Sequence, residues 1–152
     1  MTSARAVPLP WRVFLRSLAL EMEAHAGAAA CSAVLRSAGQ RMGVLMALPS
    51  VDSLEALEME MNAALADMAW GKVRLTLDET ERCIVLSHTG LPRIGSAGDP
   101  PGSWLVAVLE GLYEVWLRQQ PGSDDSFRAT VRDAEDTVVI HYRRHASEFR
   151  GP

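Results

Sequence analysis

Two histidines near the C-terminus, His141 and His145, have the spacing of a metal-binding pair on a helix. The stretch from Val138 to Tyr142, however, alternates between apolar and polar residues, which predicts a strand. In a strand, side chains four residues apart are too distant to share one ion unless a bulge intervenes. No third ligand is evident. We therefore interpret both histidines as exposed side chains and predict neither a metal site nor a cofactor.

Carboxylates that could act as a glycosidase pair are confined to predicted turns. They are Asp124, Asp125, Asp133, Glu135 and Asp136. Acidic residues are expected in turns for local hydrogen bonding alone, whereas a glycosidase presents its two carboxylates in a cleft. The tryptophans and tyrosines fall mostly on helix faces and form no obvious ladder for stacking sugars. We predict no catalytic residue in this set.

A glycine- and proline-rich loop, Gly95 to Gly102, precedes the most apolar helical pattern in the chain. Glycine amides before a helix can bind phosphate, but neither GK[ST] nor GxGxxG occurs here, and Asp99 adds a negative charge. Ser96 lies between Gly95 and Ala97, which does not match a nucleophile elbow. The sequence therefore predicts a protein that is not an enzyme.

The elements that position these residues follow an α+β pattern. Apolar periodicity predicts helices from Trp11 to about His25, Gly27 to Ala47, Asp52 to a C-cap at Gly71, and Leu105 to Trp116. Alternation predicts strands over Val73 to Leu77, Cys83 to His88, Phe127 to Val131 and Val138 to Tyr142. We expect a single domain, residues 11–145, with helices packed on a four-stranded antiparallel sheet made of two hairpins. Residues 1–10 would form an arm, extended by Pro8 and Pro10, and residues 146–152 a tail.

Charge and hydropathy exclude several classes of partner. The 152-residue chain has a formal net charge of -4 and a pI near 5.5, which argues against non-specific nucleic-acid binding. No apolar run reaches the roughly 20 residues of a membrane span, so we expect no direct membrane insertion. Arg12 and Arg16 interrupt the N-terminal apolar stretch, unlike in a secretory signal. We expect a cytoplasmic location, with the periplasm as the alternative, and reduced thiols at Cys31 and Cys83.

Two blocks of the sequence resemble the bacterial cellulose synthase operon protein D family. The first is a leucine-rich helix that contains Asn62 and ends at Trp70-Gly71-Lys72-Val73. The second is the GSAG-x-P-x-G-x-W block of Gly95 to Trp104, followed by Val108 to Tyr113. The resemblance covers roughly residues 10–143. It implies a non-enzymatic accessory subunit that forms a homo-oligomeric ring, an octamer, with other cellulose synthase operon proteins as partners, and that organises synthase complexes and guides nascent β-1,4-glucan.

The same resemblance implies where glucan would pass. The N-terminal arm and the first helical turns would line the passage, with candidate contacts at Val7, Leu9, Trp11, Arg12 and Arg16. Trp11 would stack on a glucose face and the two arginines would bond hydroxyls. The alternative is that Trp11 packs in the core of its own chain.

The predicted helices carry more apolar surface than a small core readily encloses, which predicts contact between copies. Candidate interface residues are Trp104, Tyr113, Trp116, Gly39 and Gly43. A second hypothesis is a small-ligand-binding or adaptor domain, with a pocket between the loop Gly90 to Gly102 and the apolar helix below it. A tightly copurifying ligand would favour this second hypothesis, and a ligand-free symmetric oligomer the first.

Overall fold

The computed structural model describes residues 9–94 and 103–145, and this part of the chain contains three helices and one four-stranded antiparallel sheet. The helices are α1 (Leu9–Leu45), α2 (Leu54–Met68) and α3 (Trp104–Arg118). The strands are β1 (Lys72–Asp78), β2 (Cys83–Thr89), β3 (Phe127–Ala134) and β4 (Thr137–Arg144). The predicted α+β class is confirmed, as are both hairpins and their joining into a single sheet.

The strand order is β1-β2-β4-β3, so the second strand of each hairpin lies at the centre of the sheet. Leu86 of β2 is paired with Leu75 of β1 and with Ile140 of β4, and Ile140 is paired with Val131 of β3. This apolar row crosses all four strands on the face that contacts the helices. The alternate residues point to the opposite face, as the period of two requires.

Helix α3 lies between α1 and the sheet and supplies the centre of the core. Its residues Leu109, Leu112, Tyr113 and Trp116 are fully buried. Helix α1 covers one side of α3, while β3 and β4 contact the other side. Helix α2 packs beside β1 and contributes Leu57, Met61 and Leu65 to the same core.

Helix α1 has a kink at Gly27, where the backbone adopts φ 82° and ψ 162°. This break confirms the predicted division into two helical segments, and glycine suits it because a positive φ is strained for other residues. The helix begins at Leu9, two residues before the predicted start at Trp11. Proline at the first helical positions costs no hydrogen bond, which explains why Pro10 does not prevent the earlier start. Residues 1–8 and 146–152, the remainder of the predicted arm and the tail, lie outside the described residues.

The ends of α2 differ from the predicted ones by one or two residues. Ser53, rather than Asp52, is the N-cap, and its side chain accepts a hydrogen bond from the backbone three residues on. Ala69, rather than Gly71, is the left-handed C-cap, with φ 56°. Gly71 also has a positive φ, and a Cβ there would lie 2.0 Å from the Thr89 carbonyl oxygen. Gly71 is therefore required by the close approach of β2, not by the helix end.

Candidate functional site

Three glycines allow α1 and α3 to pack backbone against backbone. A Cβ added at Gly39 would lie 1.9 Å from the carbonyl oxygen of Val108, and one at Gly111 would lie 2.0 Å from that of Arg36. Gly43 continues the contact one turn later against a side chain of α3. Gly39 and Gly43 thus admit a neighbouring helix, and that helix is α3 of the same chain.

The three aromatic residues predicted at an interface also lie inside the protomer. Trp104 is almost fully buried, and Tyr113 and Trp116 are fully buried. The Trp116 indole N–H donates to the Met46 carbonyl oxygen at 3.0 Å, and the Tyr113 hydroxyl pairs with His88. The structure therefore corrects the placement of all five predicted interface residues: they hold α1, α3 and the sheet together, and a contact between copies needs other residues.

A cluster of charged side chains covers the free edge of β3. We call it the edge cluster, and it consists of Arg36 from α1 and Glu110, Glu114 and Arg118 from α3. The carboxylate of Glu114 accepts from Arg36, from Arg118 at 2.8 Å and from the backbone N–H of Ala129 at 2.9 Å. Glu114 is fully buried, so all its hydrogen bonds are to protein groups.

The other members of the edge cluster complete the coverage of β3. Glu110 accepts from Arg36 at 2.7 Å and from the Val131 N–H at 2.9 Å. Arg118 donates to the Phe127 carbonyl oxygen at 2.9 Å. Backbone groups that would pair with a further strand are thereby satisfied by side chains of the helices. An edge closed in this way does not recruit a strand from another chain.

Burial alone would raise the pKa of Glu114. The hydrogen bond from Ala129 and the charges of Arg36 and Arg118 oppose burial, and together they lower the pKa below its ordinary value. The carboxylate is therefore charged at neutral pH. Glu110, Glu114 and Arg118 follow one another at intervals of four residues along α3, so their side chains lie on one face of that helix.

The free edge of β1 is covered in the same way from α2. The Asn62 side chain accepts from the Val73 N–H at 2.8 Å and donates to the Val73 carbonyl oxygen at 2.9 Å. Glu58 accepts from the Leu75 N–H at 2.8 Å. Asn62, which the sequence analysis named only as part of a motif, therefore replaces a neighbouring strand. At these positions both edges of the sheet are closed by helix side chains.

The first segment of α1, residues 9–26, is the most exposed apolar element of the described chain. Among residues 10–30, Ala19 alone is buried. It packs on a small cluster with Cys31 and Trp104. Trp11 is 60% exposed and Phe14 54%, and their rings meet edge to face at 6.0 Å. The alternative that Trp11 packs in the core of its chain is wrong.

The exposed apolar residues of this segment form two stripes. Trp11, Phe14 and Leu18 recur at i, i+3 and i+7, and Val13 and Leu20 are seven residues apart on another side of the helix. Arg12 and Arg16 are exposed as well. Leu9 begins α1, and Val7 lies outside the described residues. Such surface on two sides of one helix is typical of a segment that is covered by other protein.

His88 is buried between α3 and the loop that precedes β1. Its Nε2 lies 2.6 Å from the Trp70 carbonyl oxygen, which can only accept, so Nε2 carries the proton and Nδ1 accepts from the Tyr113 hydroxyl. Burial lowers the pKa of His88, and the hydrogen bond to Trp70 opposes that shift only in part. No role was predicted for this residue, which the structure shows to be a neutral core residue.

We expect the free energy of unfolding to fall as the pH drops below about 6.5, the ordinary pKa of histidine. The unfolded chain takes up a proton there, while folded His88 does so only at lower pH, so the slope approaches but does not exceed about 1.4 kcal/mol per pH unit. Urea unfolding between neutral pH and about pH 5.5 measures the slope. His88→Asn should flatten it, whereas His145→Asn, at an exposed position, should leave it unchanged. An equal slope in His88→Asn and the wild type would contradict this assignment.

Most of the loop on which the small-ligand hypothesis depends, residues 95–102, lies outside the described residues. Its two ends are close, because the Trp104 N–H donates to the Ile94 carbonyl oxygen at 3.1 Å. Among the acidic turn residues, Asp124 accepts from the backbone and hydroxyl of Ser126, as expected for turn formation. The described residues contain no group of three or more side chains placed to bind a metal ion. Nor does a helix in residues 9–94 or 103–145 have the length and apolar character to cross a membrane.

Comparison with known proteins gives consistent matches along the chain. The family model for the D subunit of cellulose synthase matches residues 1–143. A cellulose synthase operon protein D from Komagataeibacter sucrofermentans is 36% identical over 155 aligned positions, covering 97% of this chain and 99% of the relative. Another protein of that name, from Komagataeibacter xylinus, is 35% identical and covers 89% of this chain and 92% of its own.

Proposed function

Because the chain belongs to the cellulose synthase operon protein D family, which gives it an accessory role in cellulose synthesis, we propose that it is a non-enzymatic subunit. In this proposal it forms a closed homo-oligomeric ring, an octamer, that organises synthase complexes and guides nascent β-1,4-glucan. Its other partners are the remaining proteins of the operon. We propose the cytoplasm as its location, and cell fractionation would detect the periplasmic alternative.

The observation that carries the ring proposal is the exposed apolar first segment of α1. Phe14 is 54% and Leu18 40% exposed, so covering the remaining surface of each would contribute about 1 kcal/mol, which is less than the value for burying such a side chain from full exposure. A second copy can cover one stripe while the parent chain or a third copy covers the other. When each copy contacts the next through two different surfaces, repeated contacts form a ring, provided that the rotation from one copy to the next adds up to a full turn.

The closed sheet edges support an assembly through helices. Addition of strands is the other common route by which sheet proteins associate, and it requires free backbone groups on an edge. Here Asn62 and Glu58 occupy those groups on β1, and Glu110 and Glu114 occupy them on β3. The first segment of α1 is therefore the surface that we assign to the contact between copies.

The glucan contact in this proposal uses the start of α1. A β-1,4-glucan presents apolar C–H faces and hydroxyl edges, which suit an exposed indole beside guanidinium donors. Trp11, Arg12 and Arg16 are exposed within six positions of one another, so they offer both kinds of contact. Val7 and Leu9 remain candidates in the same passage.

We expect light scattering to give the wild type a discrete mass near eight copies. Phe14→Glu combined with Leu18→Glu should lower the mass to that of a dimer or monomer, because each contact would then have to bury two unpaired carboxylates. The matched control is Met59→Glu with Leu77→Glu, which changes two exposed apolar residues away from α1 by the same charge. A monomeric wild type, or equal dissociation of both variants, would contradict the proposed interface.

Glucan contact is tested separately on the assembled ring. Titration with cello-oligosaccharide should change the tryptophan emission of the wild type, and Trp11→Ala should abolish that change in the fraction of the variant that light scattering shows to be assembled. If the ring forms but cello-oligosaccharide does not change the tryptophan emission of either protein, the proposed guiding of glucan would be wrong. The proposed role as a scaffold would be unaffected.

A further inference from the structure

A groove of about 810 Å³ lies at one end of the sheet and gathers an unusual share of the chain's positive charge. Five arginines line it: Arg82, Arg128, Arg132, Arg143 and Arg144. We call it the arginine groove. It is formed by the turn between β1 and β2, the strand β3 and the end of β4. The chain has 15 lysines and arginines and a net charge of -4, so this concentration is local and opposes the overall charge.

Carboxylates of the protein neutralise the arginine groove only in part. Arg143 lies 3.6 Å from Glu81, and Arg144 lies 4.0 Å from Asp124. Arg128 reaches 3.9 Å from Glu114, whose charge Arg36 and Arg118 already share. Within the described residues, Arg82 and Arg132 have no carboxylate within 4.0 Å. Surplus positive charge therefore faces the groove.

We propose that the arginine groove binds an extended acidic segment of a partner protein, by pairing its Asp and Glu side chains with the guanidinium groups. Guanidinium matches a carboxylate in a planar, two-point geometry, which a compact ammonium does not offer. Thr130 and His141, also in the groove, supply further hydrogen-bonding groups between the charges. Since the nearby edge of β3 is closed by the edge cluster, the segment binds through side chains and does not add a strand.

Other polyanions fit the groove less well. Single-stranded nucleic acid is held by aromatic platforms on which bases stack. Besides two histidines, the aromatic side chain that lines the groove is Phe127, which is stacked on Tyr142 at 5.3 Å and covered by the Arg144 guanidinium at 5.3 Å. An anionic membrane surface is bound most firmly when apolar side chains insert beside the charges. The large exposed apolar residues of segments 10–94 and 103–145 lie outside this groove.

Peptide binding in the arginine groove is separate from ring formation, so it can be tested whether or not the protein assembles. Fluorescence anisotropy would follow a labelled peptide of alternating Glu and Gly as the full-length protein is added at low ionic strength. We expect saturable binding that weakens with salt. Arg82→Glu with Arg132→Glu should weaken binding about tenfold or more. Arg41→Glu with Arg74→Glu, which gives the same net charge at exposed positions outside the groove, should weaken it by less than about twofold.

Further arms identify the class of partner. Circular dichroism and light scattering establish that each variant keeps its fold and mass. Arg132→Glu alone is a milder second variant, and we expect it to weaken peptide binding about threefold. No binding by the wild type, or equal losses in the two double variants, would overturn the proposal. Tighter binding of single-stranded DNA or of anionic phosphatidylglycerol vesicles than of the peptide would also overturn it.

Discussion

Glu114→Ala should lower the free energy of unfolding by about 3 to 5 kcal/mol. The wild-type carboxylate is fully buried and accepts from Arg36, Arg118 and the Ala129 N–H. Its removal leaves two guanidinium groups without their shared partner and a backbone donor on β3 without an acceptor. The loss is costly because the carboxylate and the Ala129 donor are buried together, while the Arg36 and Arg118 side chains, 28% and 23% exposed, recover only part of their solvation. Urea unfolding followed by circular dichroism at neutral pH measures the change.

Glu135→Ala, in the exposed turn between β3 and β4, is the matched control and should change stability by less than about 0.5 kcal/mol. Acid gives a second readout. The folded pKa of Glu114 is lowered, so its stabilisation is present above the ordinary value of 4.5 and is lost as the pH falls through the folded value. The difference in unfolding free energy between wild type and Glu114→Ala should therefore narrow as the pH falls further below 4.5. A loss below about 1 kcal/mol at neutral pH would contradict the role that we give this carboxylate.

Local patterns were sufficient to predict the elements of this fold. Alternation over Val73 to Leu77 and Val138 to Tyr142 located strands because one face of the sheet is buried and the other is not. The apolar stripe of α3 located the central helix, and Gly27 marked the kink in α1. Each of these signals depends on residues that are neighbours along the chain, so no tertiary information was needed.

Contacts between distant segments could not be predicted in this way. Arg36 and Glu114 are 78 residues apart, and their pairing depends on the register in which α1 lies on α3. In the sequence, Glu110, Glu114 and Arg118 are simply the sparse charged residues of an apolar helix. Their spacing of four was the available signal, because a single stripe of charged residues on such a helix indicates a buried partner. Trp11 presented the converse case, since an apolar helical stripe does not reveal whether its own chain covers it.

The second large loss of stability is expected at the seam, by which we mean the close backbone contact between α1 and α3 at Gly39 and Gly111. Gly39→Ala should destabilise the fold by about 3 kcal/mol, because the new Cβ would lie 1.9 Å from the Val108 carbonyl oxygen and only a shift of whole helices can relieve that clash. This cost exceeds the gain of about 1 kcal/mol that alanine brings to a helix interior. Ser37→Ala, two residues away on the exposed side of α1, should change stability by less than about 0.5 kcal/mol.

A double-mutant cycle with Gly111→Ala tests whether the two glycines serve one contact. Gly111 approaches the Arg36 carbonyl oxygen from α3, one turn of α1 away from Gly39. Once one alanine has moved the helices apart, the second alanine causes a smaller clash. The double variant should therefore lose less free energy of unfolding than the two single losses added together, by about 1 kcal/mol or more. Additive losses would instead mean that each glycine is accommodated locally. Because Arg36 lies on this seam, a separation of the helices also loosens the edge cluster, so Glu114→Ala should cost less in the Gly39→Ala background.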